Sequence, residues 1–393
     1  MRILPGLLLY VGLIPANADV LRPVDSDDVA GASAAVVIDD VPLAHTAQFL
    51  PFDVKGEIVG AGDAALQVGK IVEDLGVALG QAKSGLDRLV KLNVCVAKVE
   101  AVDGVRKALA ERLRGKARPA TAYVVAPLPR PEALVAMDAV AAADPTAGGE
   151  TVNRLSCAVY GVPGFPQVAV LPAGGRVYIS GQAEKGKDLA ESTRLTLEGL
   201  RRTLTWLGLK DSGVVQLKAF GQVAADRPAV EAEIAKVFPV PLVFVEGDAG
   251  NPVEIEIVAA AGNAGHPAAE SVTYLTPPWM IPSPVYSKVV RVNAGKSVYV
   301  SGLCAAGATD AAGQIRAIFS SLKEILEKSG SDLKHLAKAT YYVTDDETAK
   351  KLGEIRPEFY DPKSPPAASR STVAGVGREG GRLTLDMIAV PAR

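Results

Sequence analysis

Ser364-Pro365-Pro366-Ala367-Ala368-Ser369-Arg370-Ser371-Thr372-Val373-Ala374-Gly375-Val376, continued by Arg382-Leu383-Thr384-Leu385-Asp386-Met387-Ile388-Ala389-Val390, is the stretch from which the fold is read. A proline-rich turn delivers Arg370 to a short strand, and a glycine-rich hairpin leads into a second strand alternating around Thr384 and Asp386. An arginine at the mouth of a strand presents a planar fork to a carboxylate. The same layout occurs twice more upstream. Pro119 to Val124 leads to Leu134–Ala141, and Pro241 to Val245 leads to Val253–Ala259. Three versions of one unit are expected, with arginine at the key place in the last.

Working outward, each closing pair of strands is preceded by the same elements. In the first unit, strands at Ala32–Ile38 and Ala44–Phe49 lead to a helix over Asp63–Gln81, whose Leu66, Val68, Ile71, Val72, Leu75 and Leu79 give one apolar face. A strand at Leu89–Val96 and a helix at Ala101–Leu113 follow. The middle unit offers strands at Ser156–Tyr160 and Arg176–Gly181, a helix over Lys187–Leu207, a strand at Val214–Val223 and a helix at Pro228–Val237. The last repeats the order, with Lys288–Val292, Ser297–Leu303, a helix over Asp310–Lys328, Ala337–Val343 and a helix at Thr348–Glu358. The order β-β-α-β-α-β-β predicts an α+β layer with helices on one sheet face, leaving the other face to be covered. Thr46-Ala47-Gln48, Ser180-Gly181-Gln182 and Ser301-Gly302-Leu303 sit before the long helix of each unit, where small residues permit close backbone approach.

With 393 residues the chain accommodates three such units. Boundaries are expected at 31–147, 152–262 and 274–393, with a polar, loose segment at 19–30 and a linker at 263–273 containing a solvated His266. Hydrophobic residues make up 48% and aromatics 5%, so the core is aliphatic. Net charge is −2, with 42 basic and 44 acidic residues and no dense basic run, which disfavours nucleic acid as a partner. Cys95, Cys157 and Cys304 form neither a CxxC pair nor a disulfide framework. His335 has no histidine or cysteine at ligand spacing, so no metal site is expected. Arg2, the apolar run Ile3–Ile14 and Ala16-Asn17-Ala18 read as a leader over 1–18, placing the mature chain in the periplasm or outside the cell. The competing readings are an apolar N-terminal strand or a misassigned start codon, in a cytoplasmic protein. The run is short for a membrane span, so no stable insertion of the mature chain is expected.

The ordered set of motifs resembles the RidA/YjgF family of reactive-intermediate deaminases, also known as endoribonuclease L-PSP proteins. The last unit carries the resemblance through Ser283-Pro284-Val285-Tyr286-Ser287, Val298–Gly302, Gln314, Tyr341–Asp345, Phe359-Tyr360 and Ser369–Val373. The middle unit does so through Val177–Gln182 and Val253–Ile257. The first does so through Leu50–Gly56, Gly62-Asp63, Gln67 and Arg118–Thr121. The resemblance implies three tandem chorismate-mutase-like domains in one chain. They would form a monomeric, intramolecular pseudo-trimer with sheets inside, helices outside and clefts between units.

It also implies hydrolysis of a 2-imino or enamine acid to a 2-oxo acid and ammonia, with no cofactor. Arg370 would clamp the carboxylate, Ser301 and Gly302 would form the pocket wall, Thr372 would be a polar contact and Tyr286 a lid. The family's water-handling glutamate falls at Ala136, Glu254 and Thr384 in the three units, and the clamp at Thr121, Val243 and Arg370. Arginine and glutamate thus never share a unit, and Thr384 stands in the catalytic place beside Arg370. Gly353 replaces an asparagine common in the family, and Arg118 offers a substitute clamp in the first unit. Ser180, Glu254 and Tyr160 suggest a second pocket suited to a neutral or cationic ligand. Two functions follow: an imine/enamine deaminase with at most one competent cleft around Arg370, or a non-catalytic carboxylate-binding protein of the same fold. A structural reading of Arg370 pairs it with Asp386 or a turn carbonyl.

Overall fold

The computed structural model describes residues 20–222, 227–261, 270–293, 295–305 and 310–392. The leader expected over 1–18, His266 and most of the 263–273 linker lie outside the described residues. A first stretch comprises β1 (Leu21–Asp27), β2 (Ala32–Ile38), β3 (Leu43–Thr46), α1 (Ala64–Gln81), β4 (Leu89–Val96), α2 (Val102–Leu113), β5 (Ala120–Val125) and β6 (Val135–Ala142). A middle stretch comprises β7 (Asn153–Leu155), β8 (Val168–Leu171), β9 (Arg176–Gln182), α3 (Leu189–Trp206), β10 (Val214–Gly221), α4 (Arg227–Val237), β11 (Leu242–Glu246) and β12 (Val253–Ala260). The last comprises β13 (Val272–Leu275), β14 (Val289–Val292), β15 (Ser297–Val300), α5 (Ala311–Lys328), β16 (Leu336–Val343), α6 (Asp346–Ile355), β17 (Ala367–Thr372), β18 (Gly375–Val376) and β19 (Leu383–Ala389).

The long helices begin where capping residues stand. Asp63 accepts the N–H groups of Ala65 and Leu66, Asp188 that of Glu191, and Asp310 that of Gly313. Such a cap contributes about 1 kcal/mol. Each helix packs its apolar stripe on its own sheet, for example Val68, Ile71, Leu75 and Leu79 of α1 and Ile315, Ile318, Phe319 and Leu322 of α5. Gln67 and Gln314, buried on that stripe, tie the helix to the closing hairpin. Gln67 donates to Gly60 and Glu132 carbonyls and accepts from Leu134, while Gln314 donates to Gly380 and accepts from Arg382.

Within each stretch the later strands pair alike. β4 lies between β6 (antiparallel) and β5 (parallel), β10 between β12 and β11, and β16 between β19 and β17. The opening strands behave differently. β2 pairs with β15, β8 with β3, and β14 with β9, all antiparallel, so each is donated to the sheet of another stretch. β1, β7 and β13 extend these donated strands outward. The sheet faces opposite the helices meet in a shared core that includes Ile38, Val140, Tyr178, Val258, Val292 and Tyr299, drawn from all three stretches.

Two local expectations are corrected. Residues 21–27 form β1 rather than a loose segment: Val24 is buried against β2, while the prolyl and acidic residues face outward, as suits an edge strand. Ser156–Tyr160 is loop, because glycines and prolines at 161–166 interrupt it. The strand lies later, at β8, and Gln167 secures the loop by accepting the Cys157 N–H at 2.7 Å.

Candidate active site

The strand pairing fixes which residues are equivalent. Asp138, Glu256 and Asp386 stand opposite Asn93, Lys218 and Thr340. Across the parallel pairs, those three stand opposite Ala122, Val243 and Ser369, so the next residues, Tyr123, Phe244 and Arg370, are equivalent. The residues equivalent to Arg370 are therefore Tyr123 and Phe244, rather than the expected Thr121 and Val243. The residues two before the acidic set, Ala136, Glu254 and Thr384, remain aligned as expected.

The carboxylates and lysines of these strands converge at the shared core. Lys91 pairs with Asp386 at 2.7 Å and Lys338 with Glu256 at 2.8 Å, each bridge joining different stretches. Asp386 is therefore taken by Lys91 and does not hold Arg370. Arg118 forms an ion pair with Asp28 at the surface, so it offers no clamp.

Arg370 projects from β17 into a cleft of about 200 Å³ that it shares with Glu254 of β12, Gly181 of β9, Tyr286, Tyr341, Arg356 and Ser369. Arginine and glutamate come from different stretches and meet across their boundary. The Arg370 guanidinium makes no hydrogen bond or ion pair with any described residue, leaving its fork open. Burial pushes the Glu254 carboxyl up to about 7; Glu256 adds to this, and Arg370 opposes it. The Ser369 hydroxyl and the Arg370 backbone N–H, as hydrogen-bond donors, also oppose the rise. Tyr286 is held by a hydrogen bond from Lys288, whose ammonium lies 4.3 Å from the ring centre. Arg356 lies over the Tyr341 ring, and the Tyr341 hydroxyl is hydrogen-bonded to Tyr360.

Gly181 matters because Glu254 occupies the space a side chain would need: a Cβ there would lie 2.0 Å from Glu254 Oε1. Gly181→Ala is expected to keep the fold while expelling the carboxylate from its seat. Circular dichroism together with a structure of the variant checks this, and a carboxylate left in its seat would contradict it.

The other expected site residues lie elsewhere. Ser180 donates to the Ser287 carbonyl at 2.6 Å and accepts the Ala368 N–H at 2.7 Å, clasping two stretches behind the cleft. Ser301 makes the matching clasp, donating to Ser33 and accepting from Thr121. Gly302 packs on Ala122 and Thr384. Thr384 is fully buried, with Cys304 at 2.8 Å, and is not beside Arg370. Burial raises the Cys304 thiol and keeps it protonated. Thr372 exchanges backbone hydrogen bonds with Asp248 at the strand end. Tyr160 packs against Phe52 of the first stretch, ring centres 4.8 Å apart and tilted, and does not line the cleft with Glu254.

At the boundary of the last and first stretches, a cleft of about 790 Å³ has Tyr123 in the clamp place, with Arg106 stacked over it. At the remaining boundary, Phe244 is buried in its own core and Ala136 replaces the carboxylate. Among the described residues, the arginine–glutamate combination thus occurs at one boundary. Gly181, Ser369, Tyr341 and Arg356 were missed in the sequence. The equivalence of Tyr123 with Arg370 had a signal in proline spacing, since Pro119 precedes Tyr123 by the same step that separates Pro366 from Arg370.

The family model for endoribonuclease L-PSP matches residues 30–143 and 280–390; the middle stretch lies outside these matches. Protein DfrA of Myxococcus xanthus is 29% identical over 112 residues, 27% of this chain and 84% of that protein. A YjgF-family protein from Neisseria meningitidis is 21% identical, with 31% of this chain and 96% of that one covered at a TM-score of 0.24. RidA from an Antarctic Psychrobacter is 23% identical, with 24% and 79% covered at a TM-score of 0.23. No helix among the described residues is long and apolar enough to cross a membrane.

Proposed function

The chain belongs to the endoribonuclease L-PSP family, and on that footing we propose that the Arg370–Glu254 cleft hydrolyses a small 2-imino acid to a 2-oxo acid and ammonia. The observation that carries this reading is a guanidinium with no hydrogen bond or ion pair to any described residue, sharing with a near-neutral carboxyl a cleft sized for a small acid. In this scheme Arg370 receives the substrate carboxylate through two parallel hydrogen bonds. Ionised Glu254 takes a proton from water as the oxygen adds to the imine carbon, and returns it to nitrogen to give the carbinolamine. It then takes the new hydroxyl proton and delivers it to the amine. The C–N bond breaks, ammonia leaves and C=O forms. One water is consumed, and a carboxyl titrating near 7 suits both halves of the cycle.

We further propose that the middle stretch is a third, diverged copy of the domain and that the chain is a covalent pseudo-trimer, parsed at 31–147, 152–262 and 274–393. The matching element order and the cyclic donation of opening strands support this reading. Export through residues 1–18 is proposed on sequence grounds alone.

Mixing the protein with 2-iminobutanoate generated in place should accelerate release of ammonia and 2-oxobutanoate above the buffer rate. Binding of 2-oxobutanoate with no acceleration would instead establish a carboxylate-binding protein.

A further inference from the structure

Two guanidiniums, not one, belong to the cleft that holds Glu254. Tyr341 of β16 stands opposite Arg370 of β17 in their parallel pair, so both side chains rise on the same face of the sheet. Arg356, the residue after α6, lies over the Tyr341 ring, 5.1 Å from its centre, and lines the same cleft. Its Nε is buried and has no hydrogen bond among the described residues. Neither arginine forms an ion pair with a described carboxylate. Tyr341 is the aromatic platform between the two cations. Burial raises its hydroxyl pKa and Arg356 opposes the rise, but the phenol stays neutral and cannot compensate the guanidinium.

The other polar groups of the cleft are already engaged. The Tyr341 hydroxyl is bonded to Tyr360, and the Tyr286 hydroxyl accepts from Lys288. The Ser369 hydroxyl serves the carboxyls of Glu256, at 2.6 Å, and Glu254. The Gly181 N–H donates to Ser369 Oγ at 3.1 Å. Among the described residues lining the cleft, Glu254 is the one carboxyl. In the hydrolytic scheme Arg370 takes the substrate carboxylate and Glu254 handles water and protons. Arg356 is left with a charge and with planar donors suited to a carboxylate.

We propose that Arg356 receives a second carboxylate, so that the cleft prefers a dicarboxylic 2-imino acid of four or five carbons to a monocarboxylic one. The reaction in this statement rests on the hydrolytic reading, whereas the preference for two carboxylates is a property of binding alone. A ligand held at both ends also loses less freedom on reaching the geometry of attack. A monocarboxylic acid puts an apolar methyl where the dicarboxylic acid offers Arg356 a partner.

The test is a calorimetric titration with two matched pairs of 2-oxo acids, each differing by one methyl in place of one carboxylate: oxaloacetate against 2-oxobutanoate, and 2-oxoglutarate against 2-oxopentanoate. In at least one pair the dicarboxylic acid should bind wild type about tenfold or more tightly than its partner, since one charge-assisted hydrogen bond is worth at least a decade of affinity. Arg356→Met keeps an unbranched stem over Tyr341 and should bring that ratio toward one. Arg370→Ala should weaken both members of the pair. Arg356→Lys, which keeps the charge without the fork, should retain part of the ratio and serves where the methionine variant does not fold. A merely structural Arg356 would lower both affinities together and leave the ratio unchanged. Equal affinities within both pairs in wild type, or a preference that survives Arg356→Met, overturn the proposal. A preference for the dicarboxylic acid without ammonia release from the corresponding imines would sink the hydrolytic reading and leave this one standing. Ammonia release from 2-iminobutanoate with no such preference would do the reverse.

Discussion

Replacing Arg370 with alanine is expected to lower kcat/KM for a 2-imino acid by at least about 100-fold and to weaken 2-oxobutanoate binding in parallel. The guanidinium has no competing partner among the described residues, so the whole fork is available to the ligand. Each charge-assisted hydrogen bond contributes roughly 1.5–3 kcal/mol, and about 1.4 kcal/mol is one decade of affinity. Two such bonds make the 100-fold figure a lower bound. Arg370→Lys should restore part of the loss, because an ammonium keeps the charge without the planar pair of donors. Calorimetric titration of wild type and both variants at low salt checks the order. Equal affinities would return Arg370 to a structural role at the mouth of β17.

Glu254→Gln should separate chemistry from binding. The amide cannot accept the water proton, so kcat is expected to fall by about 10²–10⁴, the usual contribution of a positioned acid–base group. KM should change little, because the carboxylate clamp remains. In wild type the acid limb of kcat/KM should pass through about pH 7, where Glu254 ionises. Stability should move oppositely to activity. The folded chain holds this proton more tightly than the unfolded chain, whose carboxyl titrates at its ordinary value of 4.5. The resulting stabilisation is fully present below that value and is lost as pH rises through about 7. Glu254→Gln, which stays neutral, should therefore melt above wild type at about pH 8 and lose that advantage in acid. Thermal melts across this range read the sign directly, and a lower Tm for the variant at alkaline pH would contradict it.

Helices were the most legible part of the sequence. Asp63, Asp188 and Asp310 cap a clear apolar period, and the structure begins each helix one residue after its aspartate. Strand partners were less legible. β8 and β9 follow each other in the chain, yet β8 pairs with β3 of the first stretch and β9 with β14 of the last. Periodicity reports which face a residue occupies and is silent about which chain segment lies alongside. That gap explains why Thr384 was expected beside Arg370. Read one unit at a time, Arg370 had only Thr384 beside it, whereas the folded chain brings in Glu254 from a preceding unit. Glu256 and Ser369 were equally hidden, since their hydrogen bond exists only across that boundary.

The donation of opening strands also sets when the molecule can be finished during synthesis. Ile38 lies opposite Ser297, so β2 emerges from the ribosome long before β15 exists. Entropy of closure grows slowly with loop length, but pairing over such a separation is slow to nucleate. Until then β2 carries an unmatched edge, and its polar neighbour β1, with Arg22, Pro23, Asp25 and Asp27, shields one side of it from stray partners. The last third of the chain is thus the mould in which the first strand is finally seated.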